Sequence, residues 1–145
     1  GNASEIMALA GYSSITKGPE STSSSADALH AARELALHTG AAVLVTGRTD
    51  YSTDGRQVTA TENGHAMMSR VTGVGCSMGA LSAACAAVSP TPLQAAVSTA
   101  VLMGIAGEMA FEQSPFPGSF AVSLLDSLYA LSPEDVVRRA RFLSL

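Results

Sequence analysis

A glycine-rich stretch at residues 71–76 holds the residue types best suited to chemistry in this sequence. It reads VTGVGC and lies between a short extended segment and a helix of small residues. Glycines let a backbone approach a ligand closely, and the free N–H groups of a helix N-terminus bind anionic oxygens. Phosphoryl transfer needs such a cradle, and Cys76 would stand in the first helical turn, where the helix dipole favours a thiolate. No lysine follows these glycines, which excludes a P-loop. By spacing alone, a turn followed by a small packing cysteine is the alternative.

Polar side chains at two other element ends are further candidates. Asn2 and Glu5 have the spacing of a capping box, in which each side chain bonds the other residue's backbone N–H. Thr46 and Gly47 directly follow the apolar run at residues 41–45, at the kind of strand end where ligands gather in open α/β sheets. For Thr46 the alternative is an ordinary hydroxyl that satisfies a turn.

The other ionisable residues are interpreted as structural. His30 and His38 lie on one predicted helix without acidic or cysteine partners at metal-ligand spacing, so we expect both on the surface. His65 follows a turn glycine, and we expect it to be a solvated loop residue.

The acids are expected to have structural roles as well. Asp50 and Asp54 are interpreted as turn acids. Glu108, inside an apolar helix, is expected to be paired or at a helix-packing edge.

The elements that must position these residues are mainly helices. Apolar periodicity and capping signals predict helices over residues 2–10, 26–39, 76–88, 93–113 and 119–131, and a last one from Ser132. A buried parallel strand is predicted at residues 41–45, because both faces of that run are apolar. A hairpin over residues 50–61 is predicted around the two-residue turn Asp54-Gly55. Residues 67–71 are predicted to be extended, and residues 12–25 to form a loop.

Length and composition place the chain among globular proteins. It has 145 residues, of which 47% are hydrophobic and 14% charged, enough for one sizeable core. Twelve acids against eight bases give a net charge of −4 without a basic patch, so we expect no nucleic-acid partner. Residues 92–111 are nearly long enough to span a bilayer, but polar residues such as Gln94 and Glu108 favour a buried helix instead.

Two cysteines bear on the cellular compartment. Cys76 and Cys85 are nine residues apart on one predicted helix, which places them on opposite faces about 13 Å apart, too far to pair. Unpaired thiols without an export signal predict a cytoplasmic protein.

The motifs, taken together and in order, resemble the hydroxyethylthiazole kinase family of the ribokinase-like superfamily. The stretch VTGVGC resembles the anion hole of these kinases, and cysteine in place of the usual aspartate at its end is characteristic of the thiazole branch. The rest agrees in order and spacing, namely GNASEIMALAG at the start, VLVTG with YSTDG after it, RVTGVGCSMGALSAAC, and PFPGSF near the end.

The resemblance implies a role for each matching residue. Cys76 would be the catalytic residue that deprotonates or orients the hydroxyethyl oxygen as it attacks ATP. The backbone N–H groups of Gly73, Val74 and Gly75 would form the anion hole, and Gly73 would also contact the thiazole. The resemblance further implies that Thr46 and Gly47 bind ATP. Glu5, and more weakly Asn2, would help organise Mg²⁺ through water. The Pro117–Phe120 motif also matches, without an assigned role.

The resemblance implies an α/β, ribokinase-like three-layer sandwich of which this chain is the C-terminal half. One buried strand and a hairpin cannot cover the predicted helices, so an N-terminal segment or chain is expected to complete the domain. The family also implies a homotrimer. Two alternatives stay open: another small-alcohol kinase, acting on hydroxymethylpyrimidine or pyridoxal, and a catalytically silent fragment that only binds or assembles.

Overall fold

One long helix runs through the middle of the computed structural model, which describes residues 1–12 and 28–145. This helix spans Pro92–Gln113 and is the fourth of six α-helices. The others are α1 (Ala3–Leu9), α2 (Leu29–Thr39), α3 (Val74–Val88), α5 (Pro117–Ala130) and α6 (Pro133–Arg139), so that the long helix is α4. A 3-10 helix at Ala66–Arg70 precedes α3.

Four short strands form a single antiparallel sheet in the order of the chain. They are β1 (Val43–Val45), β2 (Asp50–Thr53), β3 (Val58–Thr61) and β4 (Phe142–Ser144). On one face of the sheet, Val43 and Val45 pack with α1 and α2 through Ile6 and Ala32. The long helix α4 contacts the first three strands. Because side chains alternate along a strand, the two helical groups cover opposite faces and make three layers.

The helix α4 is buried on nearly every side. Its fully buried residues include Ala100, Met103, Ile105 and Ala106, since the helix contacts the sheet as well as α3, α5 and α6. Among the described residues it is the helix whose length and composition would allow a membrane span, and 56% of its apolar window is buried inside the protein. A helix that is apolar all round is also what the core of a globular domain requires.

Several sequence predictions are confirmed at element ends. Asn2 and Ser132 both form capping boxes, and Gly40 ends α2 with φ +70°. Cys76 is exposed, Cys85 is buried, and both are free thiols, as the spacing along α3 required. The loop predicted at residues 12–25 and the predicted helix start at residue 26 lie outside the described residues, except for Tyr12.

The strand predicted at residues 41–45 is present as β1, but its ladder is antiparallel. Only four residues separate β1 from β2, and so short a connection cannot make the crossover that a parallel neighbour needs. Parallel pairing within the described residues is limited to an isolated bridge between Asn2 and Thr46. There the Gly1 amine donates to the Leu44 carbonyl and the Thr46 N–H donates to the Gly1 carbonyl.

Local hydrogen bonds explain why the predicted two-residue hairpin turn was wrong. The β2–β3 connection has four residues, because the Asp54 carboxylate accepts N–H bonds from both Arg56 and Gln57. These bonds extend the turn beyond Asp54-Gly55 and delay the start of β3 until Val58.

Two other local predictions were also wrong. Residues 66–70 form a 3-10 helix rather than an extended segment, because His65 Nδ1 accepts the Met67 N–H and starts the turn. The helix α5 begins at Pro117, two residues before the predicted cap, and Ser119 bonds the Phe116 carbonyl from inside the first turn. Strand β4 had no sequence signal that we could identify.

Candidate active site

A cleft of 960 Å³ opens where α1, the end of β1 and the first turns of α3 meet. Its walls include five of the eight residues to which the resemblance gives a role in the site, namely Asn2, Glu5, Thr46, Gly75 and Cys76. The remaining three, Gly47, Gly73 and Val74, are not among the lining residues but adjoin them in the chain. The fold thus gathers residues from three separate segments around one space.

A smaller cavity of 490 Å³ lies at the other end of β1, between the hairpin and the start of α4. Gly40, Asp54 and Thr91 are among its lining residues, and none of the sequence-predicted site residues reaches it. The larger cleft is therefore the candidate active site.

The turn before α3 has the geometry of an anion cradle. Gly73 is the N-cap, with φ +94° and no side chain to cap the helix, and its carbonyl accepts the Ser77 N–H at 2.9 Å. The N–H groups of the first turn have no intrahelical partner, and they belong to Val74, Gly75 and Cys76. A Cβ at Gly73 or Gly75 would meet nothing within 4 Å, so the space beside this backbone is open.

At the N-terminus of α1 the predicted capping box is formed. The Asn2 side chain accepts the Glu5 N–H at 3.0 Å, and Glu5 Oε2 accepts the Asn2 N–H at 2.7 Å. Glu5 is exposed in the cleft, and no described residue donates to its other carboxylate oxygen. No cluster of three or more metal-ligating side chains occurs in the parts of the chain that the structure describes.

Asp50, which holds the turn at Gly47, has an environment that its place in the sequence did not predict. It is only 8% exposed, and its Oδ1 accepts the Gly47 N–H at 2.8 Å, which fixes the turn after β1. Burial raises the pKa of Asp50 to about 6, against the opposing effects of the Gly47 N–H and the positive N-terminus. The interpretation as a turn acid is right for its bond to Gly47, but sequence spacing gave no sign of the burial.

The other singled-out ionisable residues have structural partners. His30 and His38 are exposed as predicted, and His30 pairs with Glu34 at 3.6 Å. The prediction of a solvated loop was wrong for His65, which is half-buried and stacks on Phe111 with ring centroids 3.6 Å apart. Glu108 is ion-paired with Arg141, in agreement with the sequence interpretation.

Comparison with known proteins points to one family. A model described as "Hydroxyethylthiazole kinase family" matches residues 1–134. Hydroxyethylthiazole kinase from Akkermansia muciniphila is 99% identical over 145 residues, which is all of this chain and 54% of that protein. The protein of the same name from Granulibacter bethesdensis is 53% identical over 131 residues, covering 90% of this chain and 48% of its own length.

A solved structure agrees with these relatives. The hydroxyethylthiazole kinase structure from Pyrococcus horikoshii OT3 matches with a TM-score of 0.86 and 39% identity, and covers all of this chain and 53% of its own. The chain therefore spans about half the length of the proteins that it matches.

The buried carboxyl group of Asp50 predicts an unusual pH dependence of stability. In the unfolded chain its pKa is 3.8, and in the folded protein it is about 6, so folding becomes less favourable as pH rises between these values. Asn in place of Asp50 keeps the acceptor for Gly47 but cannot ionise. Relative to wild type, we expect Asp50→Asn to gain up to about 3 kcal/mol of stability between pH 4 and pH 7. Urea denaturation of the full-length 99% identical relative, with the matching substitution, measures this.

Asp54 supplies the matched control on the same hairpin. Hydrogen bonds from the Gln57 and Arg56 N–H groups lower its pKa, so its charge favours folding once ionised. Asp54→Asn should therefore lose stability relative to wild type as pH rises, which is the opposite sign. Parallel profiles for the two variants would contradict the assignment of a raised pKa to Asp50.

Proposed function

Because the chain belongs to the hydroxyethylthiazole kinase family, we propose that it forms part of an enzyme that phosphorylates 4-methyl-5-(2-hydroxyethyl)thiazole with ATP in thiamine biosynthesis or salvage. The observation that carries this proposal is the cleft shared by the anion cradle before α3, the end of β1 and the start of α1. A transferring phosphoryl group, a nucleotide and a metal ion need these three parts together.

The anion cradle is the proposed site of charge stabilisation. In the reaction, the substrate hydroxyl oxygen bonds to the γ-phosphorus while the bond between that phosphorus and the bridging oxygen breaks, and ADP leaves. Negative charge on the transferring oxygens would be met by the N–H groups of Val74 and Gly75 and by the helix dipole of α3. The space beside Gly73 is open, so the thiazole would be able to approach the same turn there.

Cys76 is the proposed proton acceptor, or the group that orients the attacking hydroxyl. It is exposed in the cleft at the third position of α3. A thiolate at this position can take the hydroxyl proton as the oxygen attacks, which makes Cys76 a general base.

The nucleotide and metal would be held on the other wall of the cleft. Thr46 and Gly47 are the proposed ATP contacts, and the bond from Gly47 to Asp50 fixes their turn. Glu5 would hold Mg²⁺ through water, with Asn2 beside it. One Glu5 carboxylate oxygen has no donor among the described residues, and such an oxygen suits a hard cation that keeps most of its waters. Bound Mg²⁺ would supply neutralisation of phosphate charge.

A further segment that leads into Gly1 is proposed to complete the domain. The bridge between Asn2 and Thr46 shows the start of the chain running parallel to β1, at an edge of the sheet. A preceding segment continuing that direction would pair with β1 and cover the apolar wall of the cleft, which includes Leu9, Leu44 and Met78. Residues 1–145 would then be the C-terminal part of a single ribokinase-like domain. A cytoplasmic location and a homotrimer complete the proposal on the family's example.

The choice of substrate gives a test of the proposed function. In the completed enzyme, hydroxyethylthiazole should be turned over far better than hydroxymethylpyrimidine or pyridoxal, because cysteine replaces aspartate at the end of the anion hole. ADP release measured by a coupled assay across the three alcohols makes the comparison. Preference for either of the other alcohols would replace the proposed substrate with the alternative.

Substitution of Cys76 tests the proposed catalytic role. In the completed enzyme, Cys76→Ala should lower kcat by roughly 10²–10⁴, the usual loss on removing a general base. Cys76→Asp should remain active because a carboxylate is also favoured at a helix N-terminus. The matched control is Cys85→Ala on the buried side of α3, which should change kcat little. A fully active Cys76→Ala enzyme would remove the thiol from the mechanism.

Completion of the domain can be tested by adding the missing segment. Alone, this chain should be aggregated or molten and show no kinase activity, because the edge of β1 and the apolar cleft lie open. Adding the segment that the 99% identical relative carries beyond this chain should restore cooperative unfolding and turnover. The same addition to a Cys76→Ala chain should restore folding only. A monodisperse 145-residue monomer with full activity would refute the proposal and leave no need for a second segment.

A further inference from the structure

A buried polar network joins the middle of α4 to the segment that leads into the anion cradle. Glu108 on α4 has a side chain only 14% exposed. Its Oε1 accepts the Gly64 N–H at 2.9 Å and the Asn63 side-chain amide at 3.1 Å. The Arg141 guanidinium pairs with the same carboxylate and also donates to the Glu62 carbonyl at 2.9 Å.

Asn63 uses its whole side chain in this network. It is 6% exposed, and besides its bond to Glu108 it donates to the Arg139 carbonyl at 2.9 Å and accepts the Arg141 N–H at 2.8 Å. Because both its N–H donor group and its oxygen are bonded, the buried amide is fixed in one orientation. Residues 62–64 are therefore held between α4 and the chain before β4.

Two glycines on α4 let the segment lie directly on the helix. A Cβ at Gly104 would stand 2.6 Å from Asn63 Cβ and 2.7 Å from its carbonyl carbon. A Cβ at Gly107 would stand 2.4 Å from Met68 Sδ. The stack of His65 on Phe111 adds a third contact one turn further along α4.

Only a very short connection joins this segment to the anion cradle. Val71 and Val74 both pack into the apolar cluster that α4 and α5 form around Met103 and Phe120. Only Thr72 and Gly73 lie between them, and Cys76 follows in the next turn. A shift of residues 63–71 along α4 would move the N-terminus of α3 with it.

We propose that Glu108 is a positioning residue for catalysis, which fixes the anion cradle by holding Asn63 and Gly64 against α4. Glu108 is not among the residues that line the cleft, so its effect would pass through backbone position alone. The inference rests on the proposed kinase function. Small displacements of a catalytic cradle slow the chemical step more than they weaken binding.

Glu112 is a matched control on the same helix. It lies four residues after Glu108 and pairs with Arg139 at 2.7 Å, and none of the hydrogen bonds or ion pairs that its carboxylate makes with described residues involves residues 62–71. Removing its carboxylate breaks an arginine ion pair of α4 but leaves in place the bonds that Asn63 and Gly64 make to Glu108. Asn63 bonds Arg139 through the backbone carbonyl and not through the guanidinium.

The experiment compares Glu108→Ala, Glu108→Asp, Glu108→Gln and Glu112→Ala in the full-length 99% identical relative. We expect Glu108→Ala to lower kcat by about 10- to 100-fold while both KM values change by less than about 3-fold. Glu108→Asp, with a shorter reach, should lose an intermediate amount. Glu108→Gln keeps the oxygen that Gly64 and Asn63 use, so it should recover most of the rate. Glu112→Ala should match wild type.

A second readout needs no turnover. The rate at which iodoacetamide alkylates Cys76 reports the position of the first turn of α3, with buried Cys85 as an internal reference. This rate should change in Glu108→Ala but not in Glu112→Ala. If the relative shows no kinase activity while the alkylation rate changes in this pattern, the proposed function fails and the positioning role stands. Unchanged kcat and unchanged alkylation in folded Glu108→Ala, or in Glu108→Asp should the alanine variant not fold, would overturn the inference.

Discussion

Close packing around α4 is the constraint on which the rest of the described structure depends. The helix is buried against the sheet on one side and against α3, α5 and α6 on the others, so its residues must be small wherever backbone approaches. Gly104 and Gly107 are the clearest cases, because a Cβ at either would stand within 3 Å of the segment before α3. A core built in this way has little freedom to shift, since packed interiors transmit displacement rather than absorb it.

That packing also determines where the candidate site lies. The cleft is bounded by α1, β1 and α3. In the chain, α2 lies between α1 and β1, while β2, β3 and the 3-10 helix lie between β1 and α3. Strand β1 is held by β2 on one edge and by the Asn2–Thr46 bridge on the other, while α3 is held by its apolar contacts with α4. The polar residues of the site are therefore supported by apolar contacts behind them.

Several buried polar groups in the sheet reduce the stability of the fold. Asp50 carries a carboxyl group inside the protein, where burial opposes its charge. Two buried hydroxyls, those of Ser52 on β2 and Thr61 on the neighbouring β3, have no hydrogen-bond partner among the described residues. Unpaired buried hydroxyls destabilise a fold, so these polar residues in the sheet under α4 lower its stability. Asn63, by contrast, is fully bonded, and it stands at the point where the cradle segment is anchored.

The sequence by itself determined the features that local chemistry controls. The capping boxes at Asn2 and Ser132, the end of α2 at Gly40, the long helix α4 and the opposite exposure of Cys76 and Cys85 all follow from residue types within a few positions of one another. Each motif that indicated the family, VTGVGC among them, is a continuous run of residues and could therefore be recognised from the sequence alone. Only the tertiary structure decided strand β4, the burial of Asp50 and the bonds of Glu108 to Asn63 and Arg141. Each of these depends on groups brought together from distant parts of the chain, and a spacing along the sequence carries no information about which distant group arrives.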